Sequence, residues 1–145
     1  MVAVDGSAHA RRAVDQAADL AVRYGAGLTV VHLRTRMGLS QVPPELAEYD
    51  RLENVYITEA ELLKSAAERI AEVAAEQARR ADVTAVETVV ETGDPGSTII
   101  RIAEERGTDL IVMGSRGLGE LGGLLLGSVS HKVGHLSHCP VLTVR

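Results

Sequence analysis

Six glycines fall between Gly114 and Lys132, GSRGLGELGGLLLGSVSHK, directly after the run Asp109-Leu110-Ile111-Val112-Met113. Such density suits backbone that must approach something closely better than it suits a core. The run before it is short, apolar and β-branched in the middle, as a strand buried on both faces should be. From Ser128 to Leu136 the chain opens on a hydroxyl residue and reads as a helix. A strand, a glycine-rich loop and a helix N-terminus make a holder for anions, because unpaired N–H groups and the positive end of the helix dipole converge on one point. The expectation is a ligand that contains phosphate.

Three motif templates compete for this loop. Gly117-x-Gly119-x-x-Gly122 matches the dinucleotide fingerprint letter by letter. That fingerprint opens the first unit of its fold and is followed about 20 residues later by an acid for the ribose. Here the loop lies in the last third of the chain and no Asp or Glu follows Glu120, so NAD or FAD binding of that type is rejected. Gly122-x-x-x-x-Gly127-Ser128 is a Walker A loop without its lysine. The missing charge on the β and γ phosphates argues against a P-loop hydrolase.

The third template is Gly114-x-x-Gly117, nine residues, then Gly127-Ser128. With Val2-Ala3-Val4-Asp5-Gly6-Ser7, Val30-Val31-His32-Leu33, Gly93-Asp94-Pro95 and Cys139-Pro140-Val141-Leu142-Thr143-Val144, it makes five segments in order, and over nearly its whole length the chain resembles the ATP-binding kind of the universal stress protein family. The loop itself points to phosphate; only the resemblance supplies ATP.

Composition bounds the rest. A length of 145 residues with 46% hydrophobic residues suits one domain, 1–145, around one core. Aromatics make up 2%, with no Trp or Phe, so the core is built from Ala, Val, Leu and Ile, and stacking platforms for nucleic acid are missing. The net charge of −5 argues against phosphate-backbone and anionic-membrane binding. No segment has the ~18 to 20 apolar residues of a membrane helix, and an acid follows Met1-Val2-Ala3-Val4 at once, unlike a signal peptide. One cysteine, Cys139, allows no internal disulfide, which fits a cytoplasmic location, and its expected role is packing before a strand rather than redox sensing.

In chain order, Met1 to Val4 reads as a strand ending at Asp5, where an acid either caps the next helix together with Ser7 or faces the ligand crevice. Ala10, Val14, Ala17, Ala18 and Ala21 give a helix from Ala8 to Tyr24, stopped by Gly25. Leu28 to Leu33 is the second strand, with His32 read as a core or crevice residue. Arg34 to Pro44 reads as a loop beside the crevice, a lid or simply a long connection. Glu45 to Arg80 is mostly helix, with Leu63, Ala66, Ala67, Ile70, Val73 and Ala74 as its apolar stripe. Val83 to Glu91 is polar enough for an edge strand. Asp94 and Pro95 start a helix that runs to about Arg106. Val141 to Val144 closes the chain.

Five strands alternating with four helices predict a doubly wound, Rossmann-like α/β domain with a parallel sheet in the order 3-2-1-4-5 and helices on both faces, of the adenine nucleotide alpha hydrolase-like kind by resemblance. That order brings Asp5 and Gly114 to one crevice. The last strand is then an apolar edge, and pairing with its copy in a homodimer would cover it, as the resemblance also implies.

The resemblance implies that Ala3, Asp5, Leu33, Gly114, Ser115, Arg116, Gly117, Gly127, Ser128, Val129 and Ser130 bind ATP, with the Leu33 backbone at the adenine and Asp5 near the phosphates or their Mg²⁺. From the residues alone, Arg116 is either a phosphate ligand or an ordinary surface charge. His131, His135 and His138 stand at i, i+4 and i+7; the first two can share a zinc-binding face, and the reading preferred is that His131 lies near the loop and the others meet solvent or the helix dipole. Functionally the chain reads as a cytoplasmic stress-response or regulatory protein that acts as an ATP-dependent switch with little or no turnover and no catalytic residue. The alternative is a slow ATPase or nucleotidyl-transferring enzyme in the same crevice, against which stand the missing Walker lysine and the lack of an acid cluster. A purely structural dimer would not need its glycines.

Overall fold

The computed structural model describes residues 1–34, 59–118 and 126–145. Among them five strands alternate with four helices: β1 (Val2–Val4), α1 (Ala8–Tyr24), β2 (Leu28–Arg34), α2 (Glu59–Arg80), β3 (Val86–Thr92), α3 (Pro95–Glu105), β4 (Ile111–Gly114), α4 (Ser128–Leu136) and β5 (Val141–Val144). All strand pairs are parallel and the order is β3-β2-β1-β4-β5, the order expected from the sequence. From β1 the chain moves outward through β2 to β3, then returns to lay β4 on the other side of β1. The carboxyl ends of β1 and β4 therefore diverge into neighbouring loops, which is where an open α/β sheet forms its crevice.

Alternation along the central strands divides the core into two layers. Val2, Val4, Val30 and Val112 pack on one side with the alanines of α1 and α2, and Ala3, Ile111 and Met113 pack on the other with Ile99, Ala103 and Val133 of α3 and α4. On α1 the buried face is Ala10, Ala13, Val14, Ala17, Ala18 and Ala21, so the helix backbone lies close to the sheet. Local chemistry sets its ends. Ser7 Oγ accepts the Ala10 N–H at 3.1 Å, and Gly25 closes the helix at φ 62°. Asp94 caps α3 by accepting the Ser97 N–H at 3.0 Å, with Pro95 at the first helical position.

Several boundaries differ from the sequence expectation. β3 begins at Val86 instead of Val83, because Asp82 turns left-handed at φ 66° and the Val83 N–H donates back to the Ala78 carbonyl at 3.3 Å. Val83 is apolar because it closes α2 against the core, not because it belongs to the sheet. β4 is shifted from Asp109–Met113 to Ile111–Gly114, and β2 extends through Arg34. The rest of the Arg34 to Pro44 loop, and the start of the helix expected from Glu45, lie outside the described residues. β3 is an edge strand, and its Glu87 and Glu91 pair with Arg106 and Arg101 of the α3 segment. Charges on the strand discourage edge-to-edge association there.

His32 sits inside the sheet, buried, with Nδ1 2.8 Å from the Val4 carbonyl oxygen. The carbonyl only accepts, so Nδ1 carries a proton. Burial pushes its pKa below the usual value near 6.5, while the Val4 bond opposes this in part. A depressed folded-state pKa means that the neutral ring contributes stability fully above that usual value and loses it as pH falls through the depressed one. The melting temperature is expected to fall between pH 7 and pH 5, and to fall less in His32→Asn. A thermal melt series across that window checks it, and parallel curves for the two proteins would refute it.

Candidate functional site

Asp5 follows the last residue of β1, and Gly6 at φ 85° turns the chain at once into the Ser7 cap of α1. Both readings of Asp5 meet here. Its Oδ1 accepts the Ser7 N–H at 2.9 Å, bracing the helix start, and its Oδ2 accepts the Leu118 N–H at 3.1 Å from the glycine loop. The carboxylate thus ties the first strand to a loop 113 residues away in sequence. A Cβ on Gly117 would lie 2.6 Å from the same Oδ2, so the glycine is what lets the loop come this near.

Gly114, the last residue of β4, serves a second purpose. A Cβ there would stand 2.9 Å from His9 Cβ and 3.0 Å from both the His9 carbonyl carbon and the Arg116 carbonyl oxygen. The first turn of α1 rests directly on it. Ser115 follows, 2% exposed, with Oγ 3.3 Å from His9 Nδ1. Its carbonyl accepts the Gly127 N–H at 2.7 Å and the Ser130 hydroxyl at 2.9 Å, fastening the start of α4 to the end of β4. Gly127 is the N-cap of α4 and gives it no side-chain cap. The first-turn N–H groups of this helix are thereby left for an outside acceptor.

These elements enclose a cavity of about 630 Å³. Ten of the eleven residues expected at the site line it: Ala3, Asp5, Leu33, Gly114, Arg116, Gly117, Gly127, Ser128, Val129 and Ser130. Ser115 is the exception, since its side chain turns behind the loop to His9 and only its carbonyl supports the site. Gly119 and Gly122 lie outside the described residues.

The cavity also has walls that sequence reasoning did not assign. Leu63, Ala66, Ala67 and Ile70 of α2 cover one side, and Pro95, Ile99 and Met113 form part of another. All four α2 residues belong to the apolar stripe expected on that helix, and helical spacing does not tell a core stripe from a cavity stripe. Arg34 and Thr92 complete the far end. Arg34 is a second cation beside Arg116, and the rule that singled out Asp5, a charged residue at the carboxyl end of a strand, would have found it.

Around the cavity, Lys132 Nζ spans from α4 to Asp94 Oδ1 at 2.6 Å and Ser97 Oγ at 2.7 Å. Its hydrogen bond, with those from Ser97, holds the exposed Asp94 carboxyl well below the usual carboxylate range. The His131 and His135 rings lie parallel, 6.3 Å apart between centroids, and neither lines the cavity. His138 approaches Glu104 at 3.9 Å. Among the described residues no three His, Cys, Asp or Glu side chains gather as a metal site would need. Cys139 is half-buried against the α3 and α4 layer, the packing role expected of it.

Comparison with known proteins places this geometry among relatives. The sequence model of the universal stress protein family matches residues 1–145. The chain is 38% identical over 153 residues to universal stress protein YxiE of Bacillus subtilis, covering 100% of this chain and 97% of the relative. It is 40% identical over 145 residues to the universal stress protein in the QAH/OAS sulfhydrylase 3' region of Thermus aquaticus, covering 100% and 96%. Its fold is similar to universal stress protein UspA from Lactobacillus plantarum, with a TM-score of 0.76 and 23% identity over 99% of this chain and 95% of that one. It is also similar to a universal stress protein solved in complex with cAMP, with a TM-score of 0.69 and 28% identity over 99% and 93%.

Proposed function

The chain belongs to the universal stress protein family, and from that premise we propose that it binds ATP with Mg²⁺ in the described cavity as a nucleotide-dependent switch with little or no turnover. The observation that carries this reading is the convergence of the glycine loop, the uncapped start of α4 and the hydroxyls of Ser128 and Ser130 on one cavity. Backbone donors and a helix N-terminus favour phosphate, and the apolar walls of Leu33, Ile99 and Met113 suit a base and ribose. The family member in complex with cAMP supports an adenine nucleotide as the ligand class. Arg116 is the cation nearest to the loop in sequence and suits a phosphate oxygen.

Asp5 fits a Mg²⁺ that arrives with the phosphates. Each of its oxygens accepts one backbone N–H and keeps a free lone pair, and Mg²⁺ needs only one or two carboxylates when phosphates and water fill its other positions. Bound there, the ion would neutralise phosphate charge beside the loop. Holding differs from turnover, which also requires a positioned water and cations where charge develops. Mass spectrometry of ligands released from protein purified without added nucleotide is expected to find ATP. In a single-turnover assay, hydrolysis is expected to stay well below about 1 s⁻¹, the ordinary enzyme range. Faster hydrolysis that disappears in Asp5→Ala would make the protein an ATPase.

We read residues 1–145 as one such domain working in the cytoplasm; no described helix is long and apolar enough to cross a membrane. We further propose a homodimer through β5. It is the terminal strand, and Leu142 is 37% exposed on it. An apolar edge left open invites association, which an antiparallel copy would satisfy in a closed form. Light scattering at micromolar concentration is expected to give twice the chain mass, and Leu142→Arg to shift it towards the monomer.

A further inference from the structure

Of the five histidines in the chain, three are engaged by other elements. His9 Nδ1 lies 3.3 Å from Ser115 Oγ, His32 Nδ1 2.8 Å from the Val4 carbonyl oxygen, and His138 Nδ1 3.9 Å from a Glu104 carboxylate oxygen. His131 and His135 are the other two. Both are exposed, and neither ring forms a hydrogen bond or ion pair with a described residue. They stand about one turn apart on the outside of α4, with ring planes 9° from parallel and centroids 6.3 Å apart. Neither the cavity nor the core uses them.

We propose that His131 and His135 form a reversible two-donor site for a borderline divalent transition-metal ion such as Zn²⁺. Imidazole suits such ions, whereas Mg²⁺ and Ca²⁺ take oxygen donors. Residues at i and i+4 of a helix are neighbours, with Cβ atoms about 5 to 6 Å apart. Two Zn–N bonds of about 2.0 to 2.1 Å bridge nitrogens up to about 4.2 Å apart, so the rings have to turn their edges towards each other. Turning costs little, because both rings are exposed and the torsion that rotates an imidazole is broad. The second donor is carried on the same helix as the first and meets the ion at high effective concentration. His135 also lies in the last turn, where the helix dipole favours a cation. Two protein donors leave the remaining positions of the ion to water or another ligand, so the site is open and exchangeable, unlike a closed structural centre. α4 has nine residues and no side-chain N-cap. A clip across one of its turns steadies a short helix whose start borders the cavity. The site stands whether or not the cavity holds a nucleotide.

Calorimetric titration of the tag-free full chain with Zn²⁺ tests the inference, in excess Mg²⁺ to occupy any phosphate-bound position. His131→Gln and His135→Gln are each expected to weaken Zn²⁺ binding by about tenfold or more, since losing either donor removes the chelate. His138→Gln is expected to leave the affinity unchanged. Zn²⁺ should raise the melting temperature of the wild type, and raise it less in either variant of the pair. In NMR spectra, Zn²⁺ should shift the ring signals of His131 and His135 and leave those of His9 and His32 in place. Affinity unchanged by both substitutions of the pair would overturn the inference, since the ion would then sit elsewhere. An equal loss in His138→Gln would overturn it as well, and so would a wild-type Kd above about 1 mM. The three substituted side chains are exposed, and melts without metal establish that each variant remains folded.

Discussion

Valine in place of Gly117 is expected to weaken ATP binding by at least about tenfold, equivalent to ~1.4 kcal/mol, while leaving the protein folded. The first atom of the new side chain would stand 2.6 Å from Asp5 Oδ2, so the carboxylate or the loop has to move. Either movement breaks the Leu118 N–H bond to Asp5 and carries the loop donors away from where phosphate would meet them. For the empty protein the loss is one exposed hydrogen bond, about 1 kcal/mol. For the complex the charge-assisted bonds to phosphate are lost as well, at about 1.5 to 3 kcal/mol each. Gly127 separates these causes. A Cβ there has ordinary clearance, 3.5 Å from the Ser115 carbonyl, and its φ of −74° suits any residue. Gly127→Val should therefore lose only the N-cap preference for glycine, about 1 kcal/mol or less, and owe the rest of its lost affinity to the ligand's need for close approach. Titration with a fluorescent ATP analogue measures both variants, and unchanged affinity in the two would move the site elsewhere.

The larger cost in stability is expected at Gly114. Alanine is the smallest change available, yet its Cβ would press on the backbone of His9 and on the Arg116 carbonyl at 3.0 Å, atoms that no rotamer change can move away. The first turn of α1 would have to lift from β4. Overpacking of this kind costs about 1 to 3 kcal/mol. In a domain of this size that corresponds to a fall of about 3 to 10 °C in melting temperature. Urea denaturation with an unchanged slope is the check, because a lower midpoint alone reports lost stability. A midpoint equal to that of the wild type would mean that α1 has slack.

Where local chemistry decides an element, the sequence reading matched the fold to the residue. α1 lies between its Ser7 cap and its left-handed Gly25, and α4 and β5 fall where they were expected. Right-handed crossovers require the chain to reverse across the sheet somewhere, and the order 3-2-1-4-5 adopted for that reversal is the one found. Misassignments came where one residue type serves two purposes. Val83 is as apolar as a strand residue but seals a helix end. Leu63 and Ile70 belong to the apolar stripe expected on α2, and that stripe also lines the cavity. Gly114 was assigned to the ligand, and it also yields room to a helix. Ser115 was expected at the site from the family resemblance; its side chain turns to His9 and its carbonyl holds the start of α4, and no pattern of letters encodes that rotation.

The alanine face of α2 has a mechanical consequence. Ala66 and Ala67 border the cavity, and Ala71, Ala74, Ala75 and Ala78 continue down the same helix into the core. An alanine has no rotamer to change and gives up no side-chain freedom when buried. A disturbance at the cavity wall thus meets Ile70 as the flexible side chain among these alanines. What Ile70 does not absorb would be passed on as a displacement of the helix against the sheet, which would make α2 a lever whose short arm lies beside the cavity.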